Sequence, residues 1–226
     1  MNRDKKVLLL VGSPKGETST SASLGNYLIS KFGKFGMTCE KGFIHRLVNR
    51  EDKIQSLFKM IDRADLIILT FPLYVDSLPA PVIKAMELIK EYKNTVESKN
   101  SKNFIAIVNS GFPEASQSTV ALQICRIFSK ECDLIWKGGI ALGMGGAIGG
   151  VPLLEKAGMA RNVIKGLDLV AQALKDDKKI PQEAIDLFSK KFIPTIFYNR
   201  FGNLGWRVQA SRYGVKKKIK DKPYSL

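Results

Sequence analysis

Three stretches of the chain are apolar almost without a break: residues 7–11 (VLLLV), 65–70 (DLIILT) and 103–109 (NFIAIVN). Continuous runs of this length suit strands buried on both faces of a parallel sheet. Weaker strand signals lie near residues 37–44 and 134–142. Between the runs the apolar period changes to that of a helix. Leu24, Leu28 and Phe32 share a helical face, as do Ile54, Leu57, Phe58 and Ile61, and Val82, Met86 and Ile89. So do Val120, Ile124, Ile127 and Phe128, and finally Val163, Leu167, Val170 and Leu174. This alternation predicts an α/β fold with an open, doubly wound parallel sheet of about five strands, because short right-handed crossovers leave few other topologies.

The alternation stops after about residue 178. A helix is predicted over 183–192, and Pro194 then precedes Phe197, Phe201, Leu204 and Val208, a second helical stripe with a proline suited to its first turn. The expected organisation is an α/β domain over residues 1–178 and a basic helical extension over 179–226. Charge separates the same two parts. Of the formal net charge of +15, residues 190–226 supply +9, ten Lys/Arg against Asp221, and residues 1–189 only +6. Aromatics interleave with this charge: Phe197, Tyr198, Phe201, Trp206 and Tyr213 among Arg200, Arg207, Arg212 and the run Lys216, Lys217, Lys218. A helix of this kind can bind polyanions without sequence preference or lie on an anionic membrane, or it can pack its stripe on protein. Packing on the domain or on a second subunit is the expected use; specific nucleic-acid binding is not expected.

With 226 residues, 45% hydrophobic and 25% charged, the composition is that of a globular chain long enough to bury a sizeable core. Cys39, Cys125 and Cys132 have neither a disulfide-framework nor a metal-site spacing, so a reducing, cytoplasmic setting is expected. The opening apolar run is too short for a signal peptide. The longest uncharged stretch, residues 138–154 with its seven glycines, is too short to span a bilayer.

In a doubly wound sheet, ligands bind beyond the carboxyl ends of the strands where the strand order reverses. Three loops there are unusual. After the first strand comes GSPKGETSTS, which offers Ser13, Lys15, Thr18, Ser19, Thr20, Ser21 and then Ser23 at a helix start. Unpaired N–H groups, a helix dipole and hydroxyl donors make a phosphate site there, though one hydroxyl would suffice as a plain cap. The loop is neither a Walker A loop nor a GxGxxG turn, so a monophosphate is expected. After the third strand comes FPLYVDSLPAP, stiffened by three prolines and suited to lying along a flat ring, or equally a proline-punctuated turn. After the fourth comes NSGFPE, where Gly111 permits close backbone approach, or else a plain β–α turn. The glycines of residues 138–150 suit tight packing at the fifth strand more than contact with a cofactor.

Together GSPKGETSTSASL, FPLYVDSLPAPVIKAMELI and NSGFPE, in this order, resemble the NAD(P)H-dependent FMN reductase family of flavodoxin-like proteins, which includes quinone reductases and iron–sulfur flavoproteins. The resemblance covers about residues 5–150. It implies a flavodoxin-like sheet of order 2-1-3-4-5 and an enzyme passing hydride from NADH or NADPH through FMN to a quinone, flavin, nitro compound or similar small acceptor. It further implies Ser13, Lys15, Ser19, Thr20 and Ser21 as phosphate ligands. Pro72, Leu73, Tyr74, Val75, Asp76 and Ser77, with Asn109, Ser110, Gly111, Phe112 and Glu114, are implied as the ring-binding loops. Tyr74 is the side chain most expected against the flavin, with packing in the core or the loop as its alternative, and Asp76 and Glu114 either bond the ring or cap helices. FMN carries the chemistry, so no catalytic acid or base is expected, and the lone His45 is assigned a structural or surface role. The cysteine cluster of the iron–sulfur members is missing. A homodimer is the implied assembly. Two other functions compete: a flavodoxin-like electron carrier, which the basic charge disfavours, and a basic membrane or polyanion module.

Overall fold

The computed structural model describes residues 5–96 and 101–222. Its strands are β1 (Lys6–Val11), β2 (Thr38–Phe43), β3 (Leu66–Pro72), β4 (Asn103–Asn109) and β5 (Ile135–Leu142). Its helices are α1 (Thr20–Lys34), α2 (Ile44–Leu47), α3 (Glu51–Arg63), α4 (Ala80–Thr95), α5 (Thr119–Glu131), α6 (Arg161–Lys175), α7 (Gln182–Ser189) and α8 (Thr195–Arg212). All four strand pairings are parallel, in the order β2-β1-β3-β4-β5. The reversal falls between β1 and β3, so the loops after these strands open side by side.

The apolar runs explain this arrangement. Every residue of β4, and all of β1 and β3 but an end residue each, is buried, as strands covered on both faces require. Leu8, Leu10, Ile67, Leu69, Phe71, Phe104 and Val108 share a core with residues of α3, α4 and α5. On α1, Gly25 has no side chain and sits against Leu9, while Leu24, Leu28 and Phe32 are fully buried. The α6 stripe of Val163, Leu167, Val170 and Leu174 is buried as its spacing predicts.

The stripe assigned to α5 is corrected. Val120 and Ile127 are more than half exposed, and the helix buries Ala121, Cys125 and Ser129 instead, with Ile124 and Phe128 partly covered. Small residues let α5 lie close to the sheet, so bulk on the adjacent positions is left outside.

The chain divides into two compact units, Met1–Lys190 and Lys191–Leu226. The first runs past the expected boundary at residue 178 because α7 belongs to it. Phe188 of α7 is 1% exposed and fills the space left by Gly166 of α6. Proline 194 stands at the N-cap of α8 rather than inside its first turn. Among the described residues, no helix is long and apolar enough to cross a membrane.

The three cysteines are free thiols. Burial pushes Cys125 up to about 12 and Cys132 up to about 11, and raises Cys39 as well. Reactivity follows the thiolate. At about pH 8, against an ordinary thiol near 8.5, a disulfide reagent such as DTNB is expected to leave Cys125 and Cys132 unmodified in the native protein and to count three thiols after unfolding. A native count of three on a fast timescale would contradict this packing.

Candidate functional site at the carboxyl edge of the sheet

The loop after β1 folds back on itself. The Gly16 N–H donates to the Ser13 carbonyl at 3.1 Å, with Gly16 at φ +58. The Ser19 hydroxyl donates to the Gly16 carbonyl at 2.6 Å and accepts from the Ala22 N–H at 3.1 Å, making Ser19 the N-cap of α1. The Ser23 N–H is taken by the Ser19 carbonyl at 3.0 Å. The amides of Thr20 and Ser21 therefore precede any partner the helix can offer, and they carry the positive end of its dipole. Lys15 is exposed in the same loop. The loop's acid, Glu17, is held by Lys41 at 2.5 Å, and that hydrogen bond lowers its carboxyl below the ordinary value. An anion at the helix start thus meets a loop whose negative charge is already offset.

The loop after β3 is a tight reversal. Tyr74 and Ser77 exchange backbone hydrogen bonds at 2.9 and 3.0 Å, and Val75 and Asp76 between them both have positive φ, +48 and +58. Two consecutive left-handed residues define a type I′ turn, which a β-branched valine adopts only under strain. Val75 is 98% exposed and Tyr74 43% exposed at its tip. Pro72, Leu73 and Ser77 are half-buried below them. Asp76 does not cap α4, whose N-cap is Pro79.

The loop after β4 ties the others together. Asn109 is buried, and its side-chain amide donates to the Ser21 hydroxyl at 2.7 Å and to the Phe71 carbonyl at 3.0 Å. Its own carbonyl accepts from the Leu73 N–H at 2.8 Å. One residue therefore connects all three loops. Next to it, the Ser110 hydroxyl is buried and has no partner, as is the Thr70 hydroxyl at the end of β3. A methyl group on Gly111 would meet open space, and Phe112 is 48% exposed. Glu114 is half-buried at the N-cap position of a short 3₁₀ turn, Ala115–Ser118, without a side-chain cap bond.

A fourth segment joins the site, and its role is not apparent from the sequence. Residues 143–150 leave β5 and run across the first and third loops. Thr20 donates its hydroxyl to the Gly145 carbonyl at 2.8 Å, the Gly145 N–H bonds the Ser110 carbonyl at 2.7 Å, and the Met144 N–H bonds the Phe112 carbonyl at 2.7 Å. Gly143 lies against the Pro113 backbone and Gly150, at φ +76, against the Thr18 carbonyl. The glycines do pack tightly, but largely onto the site loops rather than at β5 alone. The run of glycines was the available signal; its target was not.

Of the five residues implied for phosphate, Ser13, Ser19 and Ser21 are buried, Thr20 is half-buried and Lys15 is exposed. The hydroxyls of Ser19, Thr20 and Ser21 are engaged inside the fold. The residues that the loop exposes are Pro14, Lys15, Glu17 and Thr18, and the Thr20 and Ser21 amides have no helix carbonyl to bond. His45 lies beside this loop, with its Cε1 3.8 Å from where a Gly16 side chain would begin, and its buried Nδ1 has no partner.

No protein-family model matches the sequence, and no curated protein does. Solved structures do. The FMN-dependent NADH-azoreductase from Bacillus anthracis str. Ames Ancestor, in complex with FMN, matches with a TM-score of 0.55 at 11% identity over 75% of this chain and 99% of that one. A flavone reductase matches at TM-score 0.57 and 10% identity over 77% of this chain, which spans 65% of that protein. The NAD(P)H:quinone oxidoreductase from Methanothermobacter marburgensis matches at 0.52 and 13% identity over 63% of this chain and 85% of that one. The fold is flavodoxin-like. At these identities the likeness shows the flavodoxin-like architecture alone.

Proposed function

We propose that this chain is an FMN-dependent oxidoreductase that takes hydride from NADH or NADPH and reduces a small acceptor such as a quinone, a flavin or a nitro compound. The observation that carries the reading is the Asn109 junction, which holds a helix-start anion site, a rigid turn and a glycine-opened loop at one sheet edge. These features fit the parts of FMN. The Thr20 and Ser21 amides and Lys15 suit its phosphate, while the hydroxyls of Ser19 and Ser21 hold the loop in shape. The unpaired Ser110 hydroxyl and the backbone at Gly111 suit the polar edge of the ring, and Tyr74 and Phe112 suit the rim of the acceptor site. FMN, when bound, supplies the hydride chemistry; the protein supplies binding, orientation and exclusion of water. The flavodoxin-like neighbours whose names include FMN, NADH and quinone support the reading. A homodimer and a small-molecule acceptor belong to the same proposal.

Purified protein reconstituted with FMN is expected to show bound-flavin absorbance and to oxidise NADH or NADPH in steady state with a quinone, nitroaromatic or free flavin. Bound flavin without steady-state turnover would make the chain an electron carrier. Absence of flavin binding would remove the reading altogether.

A further inference from the structure

The α8 helix has a well-formed C-terminal end and no fully buried side chain. Gly214, at φ +68, stops it: the Val215 N–H reaches the Ala210 carbonyl at 2.9 Å and the Gly214 N–H reaches the Ser211 carbonyl at 3.0 Å, the paired bonds of a Schellman motif. Yet none of its 18 residues is buried. Gly202 and Gly205 weaken its interior, and a helix of this length and composition is marginal in water without a surface to pack on.

The side chains indicate what that surface is. On a helical projection Phe197, Phe201, Leu204 and Val208 fall in one stripe about 60° wide, and they are between 46% and 64% exposed. Arg200 and Arg207 flank one side of the stripe and Arg212 the other. Lys216–Lys218 follow in a 3₁₀ turn, and no acid occurs between Asp186 and Asp221. We propose that α8 is an interfacial helix that sinks this stripe into an anionic lipid surface, with the arginines and the lysine run on the headgroup phosphates. Long basic side chains beside an apolar stripe can bury their stems and keep their charges in the headgroup layer. Trp206 and Tyr213 lie on the opposite side of the helix and take no part in this contact. A second copy of the segment would bring like charges together. A nucleic acid would answer the charge but leave leucine and valine in water. An anionic bilayer answers both.

The proposal is independent of flavin binding. Full-length protein is mixed with vesicles of phosphatidylcholine alone or of phosphatidylcholine with phosphatidylglycerol, and sedimented. Binding is expected only with phosphatidylglycerol, and it should weaken as salt shortens the screening length from about 10 Å at 0.1 M to about 3 Å at 1 M. The doubly substituted Phe201→Gln, Leu204→Gln protein keeps every charge and is expected to bind roughly tenfold or more weakly, because the apolar insertion is gone. Both positions are exposed, so circular dichroism should show an intact domain. Equal binding to both vesicle types, or none, would overturn the proposal. So would undiminished vesicle binding by the double variant, which would make the tail a simple polybasic contact. Retention on RNA by both proteins without vesicle binding would make it a polyanion module, and a dimer in light scattering that the double variant loses would make the stripe a subunit interface.

Discussion

Gly150→Ala is expected to be the most damaging single-methyl change at the site. Two penalties add at this position. Its φ of +76 costs an L-residue about 1–2 kcal/mol, and the new methyl would overlap the Thr18 carbonyl and stand 2.9 Å from the Ser19 nitrogen. Those neighbours are backbone, so they cannot swing aside as a side chain would. Relief requires moving either the 143–150 segment or the start of α1, and the second disturbs the amides proposed to hold phosphate. Two other glycines separate the penalties. Gly149, at φ +68, has its nearest neighbour at 3.7 Å, so alanine there meets the backbone cost alone. Gly158 has open space and no positive φ, so alanine there should stay within about 0.5 kcal/mol of the parent. The expected order of lost stability is Gly150, then Gly149, then Gly158, with about 2–4 kcal/mol for Gly150→Ala, or several degrees in Tm for a chain of this size. FMN affinity should fall about tenfold or more for Gly150→Ala only. If Gly150→Ala melts and binds like Gly149→Ala, the close approach of the two loops is not a feature of the folded protein.

The strands and the positions of the site loops were legible because burial on both faces leaves an unbroken apolar run, and because Pro, Gly and hydroxyl residues cluster where strands end. Three things were not legible, each for a physical reason. The inner face of α5 consists of Ala121, Cys125 and Ser129, small residues that a search for apolar stripes passes over while it counts the exposed Val120 and Ile127. The domain limit depends on Phe188 entering a space that exists only because Gly166 lacks a side chain, a match between distant positions that no local pattern records. The direction of the first-loop hydroxyls was also hidden. Six of them mark a phosphate loop by number, but a hydroxyl serves equally well inward, as Ser19 does at the helix cap and Thr20 at Gly145. Asn109 illustrates the same gap. As the last residue of an apolar run it reads as a strand end, and its importance lies in three partners from other loops.

Truncating that residue is expected to loosen the whole sheet edge. In Asn109→Ala the Phe71 carbonyl and the Ser21 hydroxyl lose a buried donor, at about 1–3 kcal/mol for each unsatisfied group, while the backbone bond from Leu73 remains. A combined loss of about 2–4 kcal/mol is expected, since coupled losses do not add fully, together with weaker FMN binding because two loops lose their common anchor. Asn109→Asp tests whether the amide protons themselves matter. It keeps the shape but, when ionised, turns a charged acceptor toward the Phe71 carbonyl in a buried position. Burial and that oxygen both favour the protonated acid, so its folded pKa should rise above the unfolded value of about 3.9. A raised folded pKa makes the protonated state the better-tolerated one, and the stability it confers is lost as pH rises through that value. The aspartate variant should therefore trail the parent most at about pH 8 and recover part of the difference by about pH 5, while the alanine variant trails by the same margin at both. An Asn109→Asp deficit that does not shrink on acidification would mean that the space around Asn109, rather than its donated hydrogen bonds, holds the three loops together.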